Sequence, residues 1–211
     1  MFCTDLDLLH WEPQLFKDAA FVSQTMLSGV GDLEGTTLTL ADGLIAGAEL
    51  SGGEVVYIGG DIDGCFPIAS IDSPTQLTLS VLYDKLFDDP AAPARVGASA
   101  TGAPVTVRTF WAQRSVVSQL LLNLLGVPTD RPETVSNPQA LRRACTLGTL
   151  QMICSVLSAV TDHATTYAVR AELYERLYRR ALRHARVELD LDGDGVADCR
   201  RELATIAMVR R

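Results

Sequence analysis

The apolar residues of this 211-residue chain change their spacing partway along, and that change limits the available folds more than any single motif does. From about Thr36 to Phe110 they alternate with polar residues in short runs. The runs are Thr37-Leu38-Thr39-Leu40, Glu54-Val55-Val56-Tyr57-Ile58, Phe66-Pro67-Ile68-Ala69-Ser70-Ile71, Gln76-Leu77-Thr78-Leu79-Ser80-Val81 and Val105-Thr106-Val107-Arg108-Thr109-Phe110. Gly52-Gly53, Asp63-Gly64 and Ser73-Pro74 punctuate them. Alternation sends successive side chains to opposite faces of a strand, so five short strands between such turns predict a small antiparallel barrel. Pro67 has no N–H to donate and is expected at an edge or a strand start. Residues 88–104 are small and aperiodic, as in an exposed flexible loop.

On either side of this region the spacing is helical. Leu15, Phe16, Ala19, Ala20, Val22, Met26 and Leu27 form a stripe behind Pro13, and Gly29 and Gly31 close it. A second helix is predicted over 112–125, stopped by Gly126-Val127-Pro128. A third starts at Asn137-Pro138, a cap and a first-turn proline, and is apolar nearly all round over 141–160. A fourth, over 164–187 behind an Asp162 cap, is amphipathic, with Glu172/Arg176 and Glu175/Arg179 as i,i+4 pairs. A β-compatible end follows. The expected fold is therefore α+β: a bundle of about four helices, an inserted small antiparallel β-barrel, and a C-terminal β-hairpin or extended tail. The expected boundaries are 1–32 for an N-terminal helical segment of the helical domain, 33–110 for the barrel, 111–187 for the bundle core and 188–211 for a docking tail.

Composition narrows the function. The net charge of -8 and pI near 4.8 speak against a basic nucleic-acid binder. The charge is lopsided: residues 1–130 carry 5 Lys/Arg against 16 Asp/Glu, and residues 131–211 carry 13 against 10. Five cysteines without a CxxC pair fit neither a disulfide framework nor a zinc knuckle. Cys145 and Cys154 read as small buried hydrophobes. The start has no basic region followed by a long apolar stretch, so the expectation is a protein made in a cytosol. The run from Leu120 to Leu125 is too short to cross a bilayer, and no membrane partner is expected.

Two local patterns stand out. Asp190, Asp192, Asp194 and Asp198, with Gly195 at the sixth position, match the front of a calcium loop, where alternate carboxylates converge on a hard cation. The twelfth position is Arg201 instead of a bidentate Glu, and a hairpin turn accounts for the same Asp-Gly residues. No cofactor is expected unless calcium binds there. Arg176, Arg179, Arg180, Arg183 and Arg186 recur at helical spacing, as either a solvated face or a surface for an acidic partner. No HExxH, GxSxG, GxxxxGK[ST] or GxGxxG motif occurs, and the expectation is that the chain is not an enzyme. Asp61 and Asp63 sit at an expected hairpin tip. Trp11 and Trp111 read as core or interface anchors.

Several phrases resemble the head-to-tail connector (adaptor, or head-completion) proteins of tailed bacteriophages and phage-like particles. They are Asp5-Leu6-Asp7-Leu8-Leu9 through Pro13, the stretch Phe66 to Leu77, Val107-Arg108-Thr109-Phe110-Trp111 ahead of an apolar helix, and Leu189-Asp190-Leu191-Asp192-Gly193-Asp194-Gly195. The order of these elements carries the resemblance. It implies a non-enzymatic virion protein of the neck, made in the host cytoplasm. Such a subunit forms a ring of twelve copies between the portal protein and the next neck or tail protein, with double-stranded DNA passing through without sequence readout. The expected partner surface is Arg176, Arg179, Arg180, Arg183, Arg186, Arg200 and Arg201 with the tail residues Ile206 and Met208. The alternatives are a calcium-stabilised binding module, another neck or tail structural protein, and a hydrolase using Cys or Asp groups of the barrel.

Overall fold

Six strands close into an antiparallel barrel in a computed structural model of the chain, which describes residues 1–19, 21, 24–40, 45–48, 50–81, 99–161 and 163–203. They are β1 (Thr25–Glu34), β2 (Thr37–Leu40), β3 (Val55–Ile58), β4 (Gly64–Ser73), β5 (Gln76–Leu79) and β6 (Ala100–Arg108), in the cyclic order β1-β2-β5-β4-β3-β6. Inward-facing Leu27, Leu33, Leu38, Val56, Ile58, Ile68, Leu77, Leu79, Val105 and Val107 fill the interior, as alternation requires. Register shifts in the β1–β6 and β4–β5 pairings supply the local bends that closure needs.

Three expectations are corrected in this region. The helix read across Met26 and Leu27 is strand β1, and the described residues before it include the short helices α1 (Asp5–Trp11) and α2 (Leu15–Asp18). Gly29 and Gly31 end no helix. A Cβ on Gly31 would lie 2.8 Å from the Leu40 side chain and 2.8 Å from the Thr39 carbonyl, so glycine there permits close strand approach. Second, strand β6 begins at Ala100, inside the expected loop 88–104; residues 82–98 lie outside the described residues. Third, Pro67 lies inside β4 of a closed barrel, next to the register shift between Ile68 and Ser70.

The chain divides into two compact units, Asp5–Phe110 and Met1–Thr4 with Trp111–Arg211. The expected 1–32 segment is thus split: from Asp5 onward it belongs with the barrel. Within that unit the Asp5 carboxylate accepts from the Thr109 hydroxyl at 2.7 Å and the Phe110 N–H at 3.1 Å, and Phe16 meets Phe110 edge-on at 5.0 Å. The Arg108 guanidinium donates to the Phe16 carbonyl at the end of α2.

The second unit holds α3 (Trp111–Leu125), α4 (Gln139–Val160), α5 (Ala164–His184) and the hairpin β7 (Arg186–Leu189) with β8 (Cys199–Glu202). Helix α3 stops in a Schellman turn. Gly126 adopts φ +66°, its N–H reaches the Asn123 carbonyl, and the Val127 N–H reaches Leu122. Helix α4 is long and apolar enough by composition to cross a membrane, yet just over half of that stretch is buried inside the unit, Leu141, Ala144, Leu147, Leu150 and Ile153 among it. Its buried Thr146 and Thr149 hydroxyls donate to carbonyls one turn back.

Helix α5 ends at His184, earlier than expected, because Val187 and Leu189 alternate into the core as a strand. Asp162, the expected cap, lies outside the described residues. Asn137 does not cap α4 with its side chain. Its amide instead clamps β7, donating to the Arg186 carbonyl and accepting from the Glu188 N–H. The hairpin is therefore no free tail. Val187, Leu189 and Leu203 belong to the same core as Leu121, Leu141 and Cys145.

Candidate functional site: an arginine row and an acidic loop

Helix α5 separates its faces cleanly. Tyr167, Tyr174, Tyr178, Ala181 and Ala185 turn inward at spacings of seven, four, three and four. On the outward side Val169, Leu173, Arg176, Arg180 and Arg183 follow one another at alternating steps of four and three, all exposed. The row is apolar in its first half and cationic in its second. Arg179 is drawn aside by an ion pair with Glu175. The expected Glu172/Arg176 pair does not form, and Arg176 and Arg180 make no ion pair among the described residues. Two consecutive arginines on the row are thus left for an outside anion.

Beside the row, Arg143, Arg180 and His184 line a cleft of about 370 Å³ between the start of α4 and the end of α5. The rest of its lining is apolar: Ala140, Ala144, Leu177, Ala181 and Ala185. Arginines beside an apolar lining suit a carboxylate carried on an apolar anchor. On α3, Val116, Leu120 and Leu124 form a second exposed row at steps of four, and Trp111 at its start is 56% exposed. Trp111 is thus no core anchor.

The remaining expected partner residues divide. Arg186 is bound to Glu202 across the hairpin at 3.1 Å. Arg201 donates to the Leu125 carbonyl and so completes the end of α3; this is structural work. Arg200 lines a shallow cleft with Leu124 and Leu203. Ile206 and Met208 lie outside the described residues.

The turn between β7 and β8 brings Asp190, Asp192 and Asp194 together, with one carboxylate oxygen of each within 4.8 Å of the others. Asp198 does not join them: its carboxylate accepts from the Leu191 N–H at 2.7 Å and ties the loop shut. Asp190 accepts from the Gly193 and Gly195 N–H groups, whose φ of +82° and +86° only glycine adopts easily. Those donors, Gly195 first, hold the Asp190 carboxyl below its ordinary value. With Arg201 at the end of α3 and Glu202 on Arg186, neither residue supplies the bidentate ligand of a full calcium loop.

In the barrel, Asp63 at the β3–β4 turn is held by Lys17 at 2.7 Å and Tyr57 at 2.8 Å, an exposed pairing with no second carboxylate in it. Burial pushes the Cys65 thiol up to about 11, the opposite of an activated nucleophile. Against known proteins, no family model, no curated protein and no solved structure matches this chain.

Proposed function

We propose that the chain is a structural subunit of a tailed-phage neck, a head-to-tail connector without catalytic activity, whose copies ring the DNA exit between the portal and the next neck or tail protein. One observation carries the reading: the outward row of α5, apolar and then cationic, in a unit whose α3 also exposes Val116, Leu120 and Leu124. Exposed apolar rows edged by arginine mark surfaces that other proteins cover. In this reading three helices become a larger bundle only when copies meet, twelve to a ring, and the hairpin edge faces the portal. The two units differ in charge. Residues 5–110 carry 4 Lys/Arg against 15 Asp/Glu, and the rest carry 14 against 11. Opposite signs favour stacking of one component on another, and an acidic surface towards the channel would repel the phosphate backbone, so DNA slides past it.

The test is charge reversal of Arg176, Arg180 and Arg183 together. All three are exposed, so the melting temperature should stay within a few degrees of the parent while sedimentation velocity shows assembly lost and neck-defective particles accumulate. Normal particles carrying the triple variant would place the interface elsewhere. Absence of the chain from purified particles would remove the function altogether.

A second reading, a calcium-stabilised binding module, is favoured by the convergence of Asp190, Asp192 and Asp194. A cation at a hundred times its dissociation constant stabilises the folded state by about 2.7 kcal/mol. Millimolar calcium should then raise the melting temperature by several degrees and a chelator should reverse the rise. A melt indifferent to both removes this reading and leaves the loop as a turn.

A further inference from the structure

Cys3 and Cys145 stand 142 positions apart in sequence, yet their sulfurs lie 2.6 Å from each other in the unit that α3, α4 and α5 build. That is well inside ordinary contact distance for two sulfur atoms. Cys3 is 3% exposed and Cys145 is fully buried. The segment carrying Cys3 is pinned on both sides: the Phe2 N–H donates to the Ser118 hydroxyl at 3.2 Å, and Arg114 donates to the Cys3 carbonyl at 3.1 Å. Thr149 approaches the Cys3 sulfur at 3.9 Å, and Ser118 approaches the Cys145 sulfur at 3.5 Å. Two thiols are thus held face to face by groups that do not depend on a bond between them.

We infer that Cys3 and Cys145 are an oxidation site, a dithiol that a hydroperoxide converts to an intramolecular disulfide linking the 1–4 segment to α4. The two sulfurs lie within direct reach of each other, so either can serve as the first to react. The one that is deprotonated takes, as thiolate, the near oxygen of hydrogen peroxide; the O–O bond breaks and hydroxide leaves, giving its sulfenic acid. The other sulfur then attacks the oxidised one, the S–O bond breaks and water departs, taking the second thiol's proton. Two thiols and one peroxide give one disulfide and two waters, the sulfurs losing the two electrons the peroxide gains. The cross-link closes a very long loop and fixes the amino-terminal segment covalently to its unit.

The experiment treats the folded full-length chain with hydrogen peroxide, blocks remaining thiols, and maps peptides without reduction. The expected product is a Cys3–Cys145 peptide pair two hydrogens lighter than its thiols, released by dithiothreitol. The melting temperature should rise by several degrees, also reversibly. Cys3→Ser and Cys145→Ser should each abolish the pair, while Cys65→Ser and Cys199→Ser leave it intact. Should Cys145→Ser fail to fold, Cys3→Ser alone decides. In denaturant the same treatment should give no preference for this pair. Unreacted thiols, irreversible over-oxidation at Cys3 or Cys145, or a different pairing in the folded protein would each overturn the inference.

Discussion

Truncating the chain after Arg186 should unfold the helical unit, not merely detach a docking tail. The cut removes Val187 and Leu189, both fully buried, and Leu203, 8% exposed, from the core they share with Leu121, Leu141 and Cys145. Complete burial of such side chains contributes about 1.5–3 kcal/mol each. The loss is comparable with the roughly 5–15 kcal/mol that stabilises an ordinary domain. Polar losses add to it. Asn137 loses its acceptor bond from Glu188, Ser136 loses the Glu188 carbonyl, and the Leu125 carbonyl loses Arg201. Urea unfolding followed at 222 nm should show the helical transition shifted to near zero denaturant. Truncation after Leu203 keeps all of these groups and is the control for the cut. An unchanged midpoint after the Arg186 cut would mean the hairpin contributes no stability.

The contrast shows where sequence reading stops. Alternation and turn dipeptides made β2 to β5 legible because each needs only its own residues and the adjacent turn. Strand β1 was not legible. Met26 and Leu27 continue a helical spacing, and Gly29 and Gly31 look like a stop until β2 and β6 lie beside them, Gly31 opposite Leu40 on one side and Ala103 on the other. A residue chosen for closeness to a strand distant in sequence carries no local signature. The start of β6 was hidden in the same way, since Ala100 to Pro104 are small residues whose strand character comes from pairing with β1 and from the Gly59 N–H on the Pro104 carbonyl.

The candidate site divides along the same line. Helical spacing picked out Arg176, Arg179, Arg180, Arg183 and Arg186 together, because a face of one helix is a local property, but not that Arg179 and Arg186 are taken up by Glu175 and Glu202. It could not separate Arg201 from these arginines either. Only the hairpin's packing brings Arg201 to the last turn of α3, where an open carbonyl awaits a donor. Asp198 likewise fitted a ligand position by count, yet its carboxylate is spent on a backbone N–H seven residues earlier. Asn137 looked like a cap and serves β7 instead. Arg201 and Asn137 took partners that tertiary structure supplied, and Asp198 one that its own turn supplied.

Among the described glycines of the helical unit Gly148 makes the closest approach to its neighbours, and filling it with a branched side chain should be costly. Glycine in mid-helix normally costs about 1 kcal/mol against alanine, so α4 accepts it for a reason. A Cβ at 148 would lie 2.9 Å from the Val117 methyl on α3 and 3.1 Å from the Tyr178 ring on α5. Both neighbours are packed, Val117 being 2% exposed. Overpacking of this kind costs about 1–3 kcal/mol, which in Gly148→Ala is partly offset by the helix propensity gained. In Gly148→Val the second and third carbons meet the same two walls and β-branching withdraws the offset. The valine variant should lose at least ~3 kcal/mol and, at about 4–8 °C per kcal/mol for a domain of this size, melt more than 10 °C early. Val117→Ala opens a cavity when made alone, but beside Gly148→Ala it vacates the space the new methyl needs. The double variant should therefore be more stable than the two single losses predict, by roughly 1 kcal/mol or more, the coupling expected of residues in direct contact. Strict additivity in that cycle, measured by denaturant unfolding, would mean that the α3–α4 crossing has room to spare at Gly148.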